Sequence, residues 1–264
     1  MHRLIREYAE SVSRGVVLRR RLPAFAGGAS VFVSPEAGLK FWRLRIEKCD
    51  PQLLASAAEL VASGDVVWDV GANLGLFSFA AAGLAGPAGR VLAIEPDSWL
   101  VSLLRRSAAA NSNRIAPVDV IPTAVSDSVD FKRFHIARRT RAMNYLDGFG
   151  LTEPGESREE QLVPTVTLDW ILERFPAPKV LKIDVEGAEA QVVRGGKRMF
   201  SEIQPAVICE VARESQSFIT ECLRDYGYIL FDAQCLKGER KPVAAAAWNT
   251  LALPKGHRLL GAIA

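Results

Sequence analysis

The sequence predicts an α/β fold with a mostly parallel β-sheet, and three observations support this prediction. From residue 65 onwards, short apolar segments alternate with helical segments, which is the pattern of parallel βαβ units. Several of these short segments are mostly apolar, as strands are when helices cover both faces of a sheet. A glycine-containing turn follows the first of them, and ligands of open α/β sheets bind at that edge.

The composition is that of an ordinary globular protein. The 264 residues suffice for one large domain or two small ones, and 49% of them are hydrophobic and 24% charged. These values exclude a disordered, collagen-like or coiled-coil chain. The formal net charge of +3 is too small to indicate a nucleic-acid partner. Because no apolar run approaches the ~20 residues of a membrane span, no transmembrane segment is predicted.

The cysteines and histidines give no indication of a metal site. The four cysteines form no CxxC pair, and the three histidines lie far apart in the sequence. This cysteine usage is typical of a reducing compartment, so we predict a cytoplasmic protein. The oligomeric state stays open, and a homo-oligomer is compatible with the sequence.

Residues 1–63 are predicted to form an N-terminal extension made of a helix, a hairpin and a second helix, packed on a main domain of residues 64–264. The first helix is rich in arginine. It either binds an anionic surface or covers the domain edge with a solvated arginine face, and we favour the second interpretation. Its apolar positions recur every four residues, at Leu4, Tyr8, Val12 and Val16.

The other two elements of the extension are predicted from turn and capping signals. The segments Val31–Val33 and Leu39–Trp42 flank a turn that contains proline and glycine, and we expect them to pair as a hairpin. Asp50 is a suitable N-cap and Pro51 a suitable first residue for the second helix. That helix is expected to end at Gly64.

The main domain is predicted to alternate between strands and helices. The strands are Val66–Val70, Arg90–Glu95, Val118–Val125, Lys179–Val185, Ala206–Val211, Tyr228–Asp232 and Thr250–Leu253. The helices are Leu76–Leu84, Asp97–Asn111, Ala188–Phe200 and Ser215–Tyr226. Two more strands, Phe131–Ile136 and Leu162–Val166, break the alternation and predict a β-hairpin inserted at about residues 128–167.

Acidic residues follow the predicted strands at one edge of the sheet. Asp69 leads into the turn Gly71-Ala72-Asn73-Leu74-Gly75, where a carboxylate suits a cationic ligand better than a pyrophosphate. Glu95 ends the second strand and is placed to accept both hydroxyls of a ribose. Later strands add Asp127, Asp184 and Glu186. Because the carboxyl ends of parallel strands share one edge, these acids are expected to converge on one crevice.

The order and spacing of five motifs resemble the FkbM family of S-adenosylmethionine-dependent methyltransferases. The motifs are Asp-Val-Gly-Ala-Asn at 69–73, Glu95-Pro96, Ser126-Asp127, Val-Thr-Leu-Asp at 166–169 and Lys-Ile-Asp-Val-Glu-Gly at 182–187. The resemblance covers about residues 60–255. It implies a Rossmann-like class I methyltransferase sheet with an antiparallel last strand, S-adenosylmethionine as cofactor, and methylation of a hydroxyl oxygen on a sugar, glycan or polyketide-type molecule.

The strand ends and the inserted hairpin supply the candidate site residues. The expected cofactor contacts are Asp69, Gly71, Ala72, Asn73, Gly75, Glu95, Pro96, Ser126, Asp127 and Asp184. Asp184 is the first candidate for the group facing the reacting centre, Glu186 the second and His135 the third. Asp184 and Glu186 could together hold Mg²⁺, but without a clear third ligand no metal is predicted. The candidate acceptor-binding residues, on a loop that is either a lid or solvated, are Arg138, Arg139, Arg141, Asn144 and Tyr145.

Three other functions share parts of this pattern. A nicotinamide dehydrogenase has the same sheet and ribose acid, but this chain lacks the Gly-x-Gly-x-x-Gly turn. A nucleic-acid amino-methyltransferase is expected to carry an Asn/Asp-Pro-Pro-aromatic motif where this chain has Asp184-Val185-Glu186-Gly187. A non-catalytic protein that binds S-adenosylmethionine is compatible with the same residues, and only an activity assay separates it from an enzyme.

Overall fold

A computed structural model describes residues 10, 12–149, 157–235 and 237–262. In chain order the strands are β1 (Leu18–Arg21), β2 (Ser30–Val33), β3 (Val66–Val70), β4 (Arg90–Ile94), β5 (Val118–Ile121), β6 (Ala124–Val125), β7 (Asp130–Ala137), β8 (Tyr145–Leu146), β9 (Ser157–Val166), β10 (Val180–Ile183), β11 (Ala206–Glu210), β12 (Tyr228–Asp232) and β13 (Asn249–Pro254). The α-helices are α1 (Pro51–Leu60), α2 (Leu76–Ala85), α3 (Ser98–Ala110), α4 (Leu168–Leu172), α5 (Glu189–Arg194) and α6 (Gln216–Asp225).

Seven strands form the central sheet in the order β12-β13-β11-β10-β3-β4-β5. Neighbouring strands pair in parallel except at β13, which is antiparallel to both β11 and β12. The predicted α/β class, with a mostly parallel sheet and an antiparallel last strand, is therefore confirmed. The predicted strand Val118–Val125 is divided, because Pro122 has no N–H with which to continue the ladder.

Two apolar layers cover the two faces of the central sheet. Successive residues of a strand point to opposite faces, so Val67 of β3 lies in one layer and Trp68 in the other. The N-terminal extension contributes Phe41 and Leu54 to the same layer as Val67. It therefore packs directly against the face of the sheet that carries α2 and α3, next to the carboxyl edge of β3.

The extension corrects part of the sequence-based prediction. Val31–Val33 pairs with β1 and not with Leu39–Trp42, which forms a 3₁₀ turn. Pro35 and the Ser34 side chain, which accepts a hydrogen bond from the Glu36 N–H, start a 3₁₀ turn where a hairpin was expected. The second helix, α1, begins at Pro51 as predicted but ends at Leu60, before Gly64. Of the predicted first helix, Leu4 and Tyr8 lie outside the described residues.

The predicted insertion is a small sheet of its own. Strands β7 and β9 pair antiparallel, and the full order is β6-β9-β7-β8. Strand β6 follows β5 closely and pairs with β9, so the insertion is joined to the carboxyl edge of the central sheet. In the loop of the insertion, residues 150–156 lie outside the described part of the chain.

Glycines shorten one predicted helix. Gly195 and Gly196 follow α5, and a separate π-helical turn spans Met199–Ile203, so the predicted helix Ala188–Phe200 is divided. A Cβ atom at Gly195 would lie 2.2 Å from the Ser126 carbonyl oxygen, so only glycine fits this approach. No helix among the described residues has the length and apolarity to cross a membrane.

Candidate active site

A cavity of about 300 Å³ opens at the carboxyl edge of the central sheet. One wall consists of the turns that follow β3, β4 and β10, together with the last residue of β11. The N-terminal extension and the inserted sheet form the remaining walls. The cavity therefore lies where the sequence predicts the ligand site of an open α/β sheet.

The turn after β3 brings the backbone of two strands into contact. Gly71 has a φ of +76°, and a Cβ atom there would lie 1.8 Å from the carbonyl oxygen of Asp184. Gly71, Ala72 and Asn73 line the cavity as predicted. Gly75 does not, because its α-carbon packs against the side chains of Phe79 and Leu104.

Asp69 was predicted to contact the ligand, and the structure corrects this. Its side chain is fully buried and does not line the cavity. The Lys182 ammonium lies 3.0 Å from Oδ1, and the Ser78 hydroxyl donates to Oδ2 over 2.5 Å. Lys182 is the register partner of Asp69 on β10, and directly paired residues of adjacent strands project on the same side. The charge of Asp69 is therefore neutralised within the protein.

Glu95 and Pro96, at the end of β4, line the cavity as predicted. The Glu95 carboxylate accepts a hydrogen bond from the Asn73 N–H over 2.8 Å and another from the Asp97 N–H over 2.9 Å. Burial raises the pKa of Glu95 to about 8. These bonds fix the carboxylate between the turns after β3 and β4, in the position expected of a ribose acceptor.

Three carboxylates converge on the cavity from β10 and β11. They belong to Asp184, Glu186 and Glu210. The nearest cation is Lys182. Its Nζ lies 3.4 Å from Asp184 Oδ2 and 3.0 Å from Asp69 Oδ1, so the two carboxylates share one ammonium group. Burial, together with the neighbouring Asp184 carboxylate, raises the pKa of Glu186 to about 8 and that of Glu210 to about 7. The ligand-free cavity therefore favours the protonated forms of these carboxyl groups, and a cationic ligand would favour their ionised forms.

Ser126 and Asp127 lie outside the cavity, contrary to the prediction that they contact the cofactor. The Lys132 ammonium donates to the Ser126 hydroxyl over 2.7 Å and lies 3.4 Å from Asp127. The cause is the early end of β5, because the chain then joins the inserted sheet through β6 and carries both residues away. The preceding residues, Thr123 to Val125, line the cavity instead.

His135 also lies outside the cavity, contrary to its prediction as a catalytic candidate. It follows Phe134 in β7, and alternate residues of a strand face opposite sides, so Phe134 lines the cavity and His135 does not. The imidazole stacks on Tyr145 at 4.8 Å between ring centres and lies 3.1 Å from the Asp147 carboxylate. Tyr145, a predicted acceptor-binding residue, is thereby held away from the cavity as well.

The predicted acceptor-binding residues divide into two groups. Arg141 and Asn144 line the cavity, but their polar atoms are bonded to the protein: Arg141 lies 2.8 Å from Glu36 and 2.5 Å from Asp97, and Asn144 donates to Asp97 over 2.8 Å. This buried network joins the extension, α3 and the insertion. The other two, Arg138 and Arg139, are exposed beside the cavity and do not line it.

A model of the Methyltransferase FkbM domain matches residues 69–230. The chain belongs to the FkbM methyltransferase family. It is a methyltransferase with the class I sheet that the sequence resemblance implies. The matched segment runs from the end of β3 into β12 and hence includes the strand ends that line the cavity.

Several FkbM-type and other methyltransferases are similar to the chain. The hexuronic acid methyltransferase AglP of Haloferax volcanii is 26% identical over 185 residues, which are 67% of this chain and 69% of AglP. An FkbM methyltransferase structure from Methylobacillus flagellatus KT is 14% identical with a TM-score of 0.45, and covers 95% of this chain and 58% of its own. A SAM-dependent O-methyltransferase structure from Thermotoga maritima is 14% identical, with a TM-score of 0.42 and coverages of 79% and 66%.

Two groups in this methyltransferase were not predicted as site residues. Glu210 ends β11 as the other acids end their strands, so the strand-end rule, applied to this strand too, would have identified it. Lys182 was noticed only as part of a motif, although a lone lysine in a buried strand indicates a buried anionic partner. Among the described residues, no group of three or more His, Cys, Asp or Glu side chains is arranged to hold a metal ion.

Proposed function

We propose that this methyltransferase transfers the methyl group of S-adenosylmethionine to a hydroxyl oxygen of a sugar, glycan or polyketide-type molecule. The supporting observation is the convergence of Asp184, Glu186 and Glu210 on one cavity at the carboxyl edge of the sheet. Burial, together with the neighbouring Asp184 carboxylate, raises the pKa of both Glu side chains. A ligand with cationic groups would stabilise their ionised forms.

The residues around the cavity fit S-adenosylmethionine. This molecule carries two positively charged groups, a sulfonium and an ammonium, and only one carboxylate. It also has a ribose diol. Asp184, Glu186 and Glu210 offer carboxylates to the cationic groups. Glu95, held by two backbone N–H groups, offers acceptor lone pairs to the diol. Gly71 and Asn73 offer the close backbone approach that a nucleoside needs.

The protein's part in the reaction is to position the acceptor hydroxyl and remove its proton. S-adenosylmethionine supplies, when bound, an electrophilic methyl group on a positively charged sulfur. Lys182 holds Asp184 in place, so Asp184 acts as the orienting acceptor. Glu186 accepts the hydroxyl proton, because burial and the neighbouring Asp184 carboxylate raise the pKa of its carboxyl to about 8, which suits a general base. A cationic ligand in the cavity keeps Glu186 ionised beforehand.

A carboxylated sugar is the acceptor class to test first. The chain is similar to a hexuronic acid methyltransferase over 67% of its length. Lys40 lines the cavity with its side chain 42% exposed, and its ammonium lies 3.3 Å from Asp50. Unlike Arg141, which is buried between two carboxylates, Lys40 can turn to a carboxylate of the acceptor.

Calorimetry and a methyl-transfer assay test this proposal together. S-adenosylmethionine should bind and NAD should not. Asp184→Asn should lose turnover while it keeps most of its affinity for the cofactor, because Glu186 and Glu210 still offer carboxylates to the cationic groups. Turnover is measured as S-adenosylhomocysteine release on a panel of glucuronides, neutral glycosides and hydroxylated aromatic acceptors. Full activity of Asp184→Asn would remove Asp184 from the site. Cofactor binding without turnover on any acceptor would favour a binding protein.

A further inference from the structure

A short segment of the extension exposes large apolar side chains beside the cavity. Residues 42–45, here called the tip, have the sequence Trp-Arg-Leu-Arg. Leu44 is 86% exposed and Trp42 is 44% exposed. A single exposed leucine is common on a protein surface, but an exposed tryptophan and an exposed leucine that alternate with two arginines form a defined pattern.

The tip is held on a firm base. A 3₁₀ turn, Leu39–Trp42, precedes it and another, Ile46–Lys48, follows it. Phe41 and Ile46, one on each side, are buried in the core of the main domain. The Cys49 thiol donates to the Lys40 carbonyl over 3.1 Å and closes the base. The exposed side chains are therefore presented by a fixed loop.

The surroundings of the tip are positively charged. Residues 40–50 contain four cations, Lys40, Arg43, Arg45 and Lys48, against the two carboxylates of Glu47 and Asp50, a net charge of +2. Arg45 lies 2.5 Å from Glu47 but its side chain is 70% exposed, so Arg43, Arg45 and Lys48 all present charge at the surface.

The indole of Trp42 is oriented as in an interfacial aromatic residue. Its Nε1–H donates to the Ser13 hydroxyl over 2.9 Å, so the polar end of the ring is satisfied by the protein. The exposed part of the ring is then carbon. Tryptophan and leucine surrounded by arginine and lysine match the boundary between the acyl chains and the headgroups of a bilayer.

We propose that the tip docks the protein on an anionic phospholipid surface. Trp42 and Leu44 enter the interface, and Arg43, Arg45 and Lys48 contact the headgroups. Charge complementarity favours this occupant. Two apolar side chains are too small a patch for a stable protein interface, which buries about 800 Å² on each partner, whereas they suffice for membrane attachment when basic residues assist.

The position of the tip makes this docking relevant to the cavity. Lys40 and Phe41 before it, and Asp50 and Leu53 after it, line the cavity. Docking through the tip therefore places the cavity opening close to the bilayer surface. The proposal does not depend on the identity of the methyl acceptor, and its test needs no turnover.

Vesicle sedimentation of the full chain tests the proposal. The protein should sediment with vesicles of phosphatidylcholine containing phosphatidylglycerol and much less with phosphatidylcholine alone, and added salt should weaken the binding. Leu44→Ser should lower the partition coefficient about tenfold. The double variant Arg43→Gln/Arg45→Gln should lower it by a similar factor, about tenfold. Leu162→Ser is the matched control, because Leu162 is 71% exposed but lies on β9 of the insertion.

Four results would overturn the proposal. The first is an absence of binding to anionic vesicles by the wild type. The second is equal binding by wild type and Leu44→Ser, with thermal unfolding midpoints that show both to be folded. The third is an equal loss in Leu162→Ser, which would indicate non-specific adsorption. A dimer that Leu44→Ser dissociates without altering vesicle binding would assign the tip to a second copy of the chain and also overturn the proposal.

Discussion

Asp69 and Asp184 occupy neighbouring strands at the same edge of the sheet, yet their surroundings are opposite. Asp69 is fully buried, paired with Lys182 and bonded to Ser78. Asp184 is 34% exposed at the cavity, with Lys182 at 3.4 Å on one side only. Lys182 lies between the two carboxylates. Of these two acids, the one inside the paired part of its strand is enclosed by the fold, and the one just beyond its strand faces the cavity.

Two residues at the cavity have an unusual backbone conformation. Asn73 and Glu186 both have a φ of +52°, and both line the cavity in turns that follow the two central strands. A left-handed conformation costs roughly 1–2 kcal/mol for a residue with a side chain, and asparagine tolerates it better than glutamate. The strain at Glu186 is retained at the cavity, where it directs a carboxylate towards the ligand site.

Removal of the shared cation should have the largest effect. In Lys182→Met, Asp69 would be left as an unpaired buried charge, so the free energy of unfolding should fall by about 3–5 kcal/mol. Urea denaturation measures this loss. Lys179→Met is the matched control, because Lys179 precedes the same strand and is exposed, and it should change the free energy by no more than about 0.5 kcal/mol. A loss below about 1 kcal/mol in Lys182→Met would show that the Asp69 pair contributes little.

This comparison also explains how far the sequence could predict the site. Glu95 and Asp184 line the cavity at the predicted edge, because each follows a short apolar strand and the end of such a strand can be read locally, while their contact with the cofactor stays a prediction. The role of Asp69 could not be predicted, because it depends on Lys182, 113 residues later in the chain. The register that pairs them is set only when β10 is placed beside β3.

Glu186→Gln should have the second largest effect, on turnover. It keeps the shape of the side chain but removes the proton acceptor, so kcat should fall about 100-fold or more. The stability of the ligand-free protein should not fall, because a buried like charge is removed. Steady-state kinetics at saturating cofactor measure kcat, with Glu214→Gln, an exposed residue beyond β11, as control. A kcat within threefold of the wild type would exclude Glu186 as the base and direct the assay to Glu210.

A dependence of stability on pH should follow from the same carboxylates, with a smaller effect. The folded pKa values of Glu186 and Glu210, about 8 and about 7, lie above their ordinary value of 4.5. The folded state therefore binds protons that the unfolded state has lost. Stability from these groups is fully present below about pH 4.5 and is lost as the pH rises through about 7 to 8.

The measurement is urea unfolding of the ligand-free protein at several pH values between about 5 and 8. The wild type should lose more stability over this interval than the double variant Glu186→Gln/Glu210→Gln. Other titrating groups contribute equally to both proteins, so the difference isolates the two carboxylates. Parallel pH curves would show that these carboxylates are ionised in the folded state without a ligand. S-adenosylmethionine should stabilise the wild type more at the upper end of the interval.

The inserted sheet shows a second reason why the site could not be fully predicted from the sequence. The strands β7 and β9 were predicted, but the face on which each residue lies depends on the register, and a shift of one residue reverses it. His135 was therefore assigned to the cavity, which Phe134 occupies. Arg141 was placed beside the cavity correctly, but its partners Glu36 and Asp97 come from distant segments and could not be foreseen.

His135→Ala should have the smallest effect on turnover. The imidazole lies on the outer face of β7 against Tyr145, so kcat and KM should stay within about twofold, while the lost stacking lowers the free energy of unfolding by about 0.5–1.5 kcal/mol. Phe134→Ala, one residue earlier and facing the cavity, should raise KM instead. A tenfold fall in kcat for His135→Ala at unchanged KM would contradict this assignment and restore His135 as a catalytic candidate.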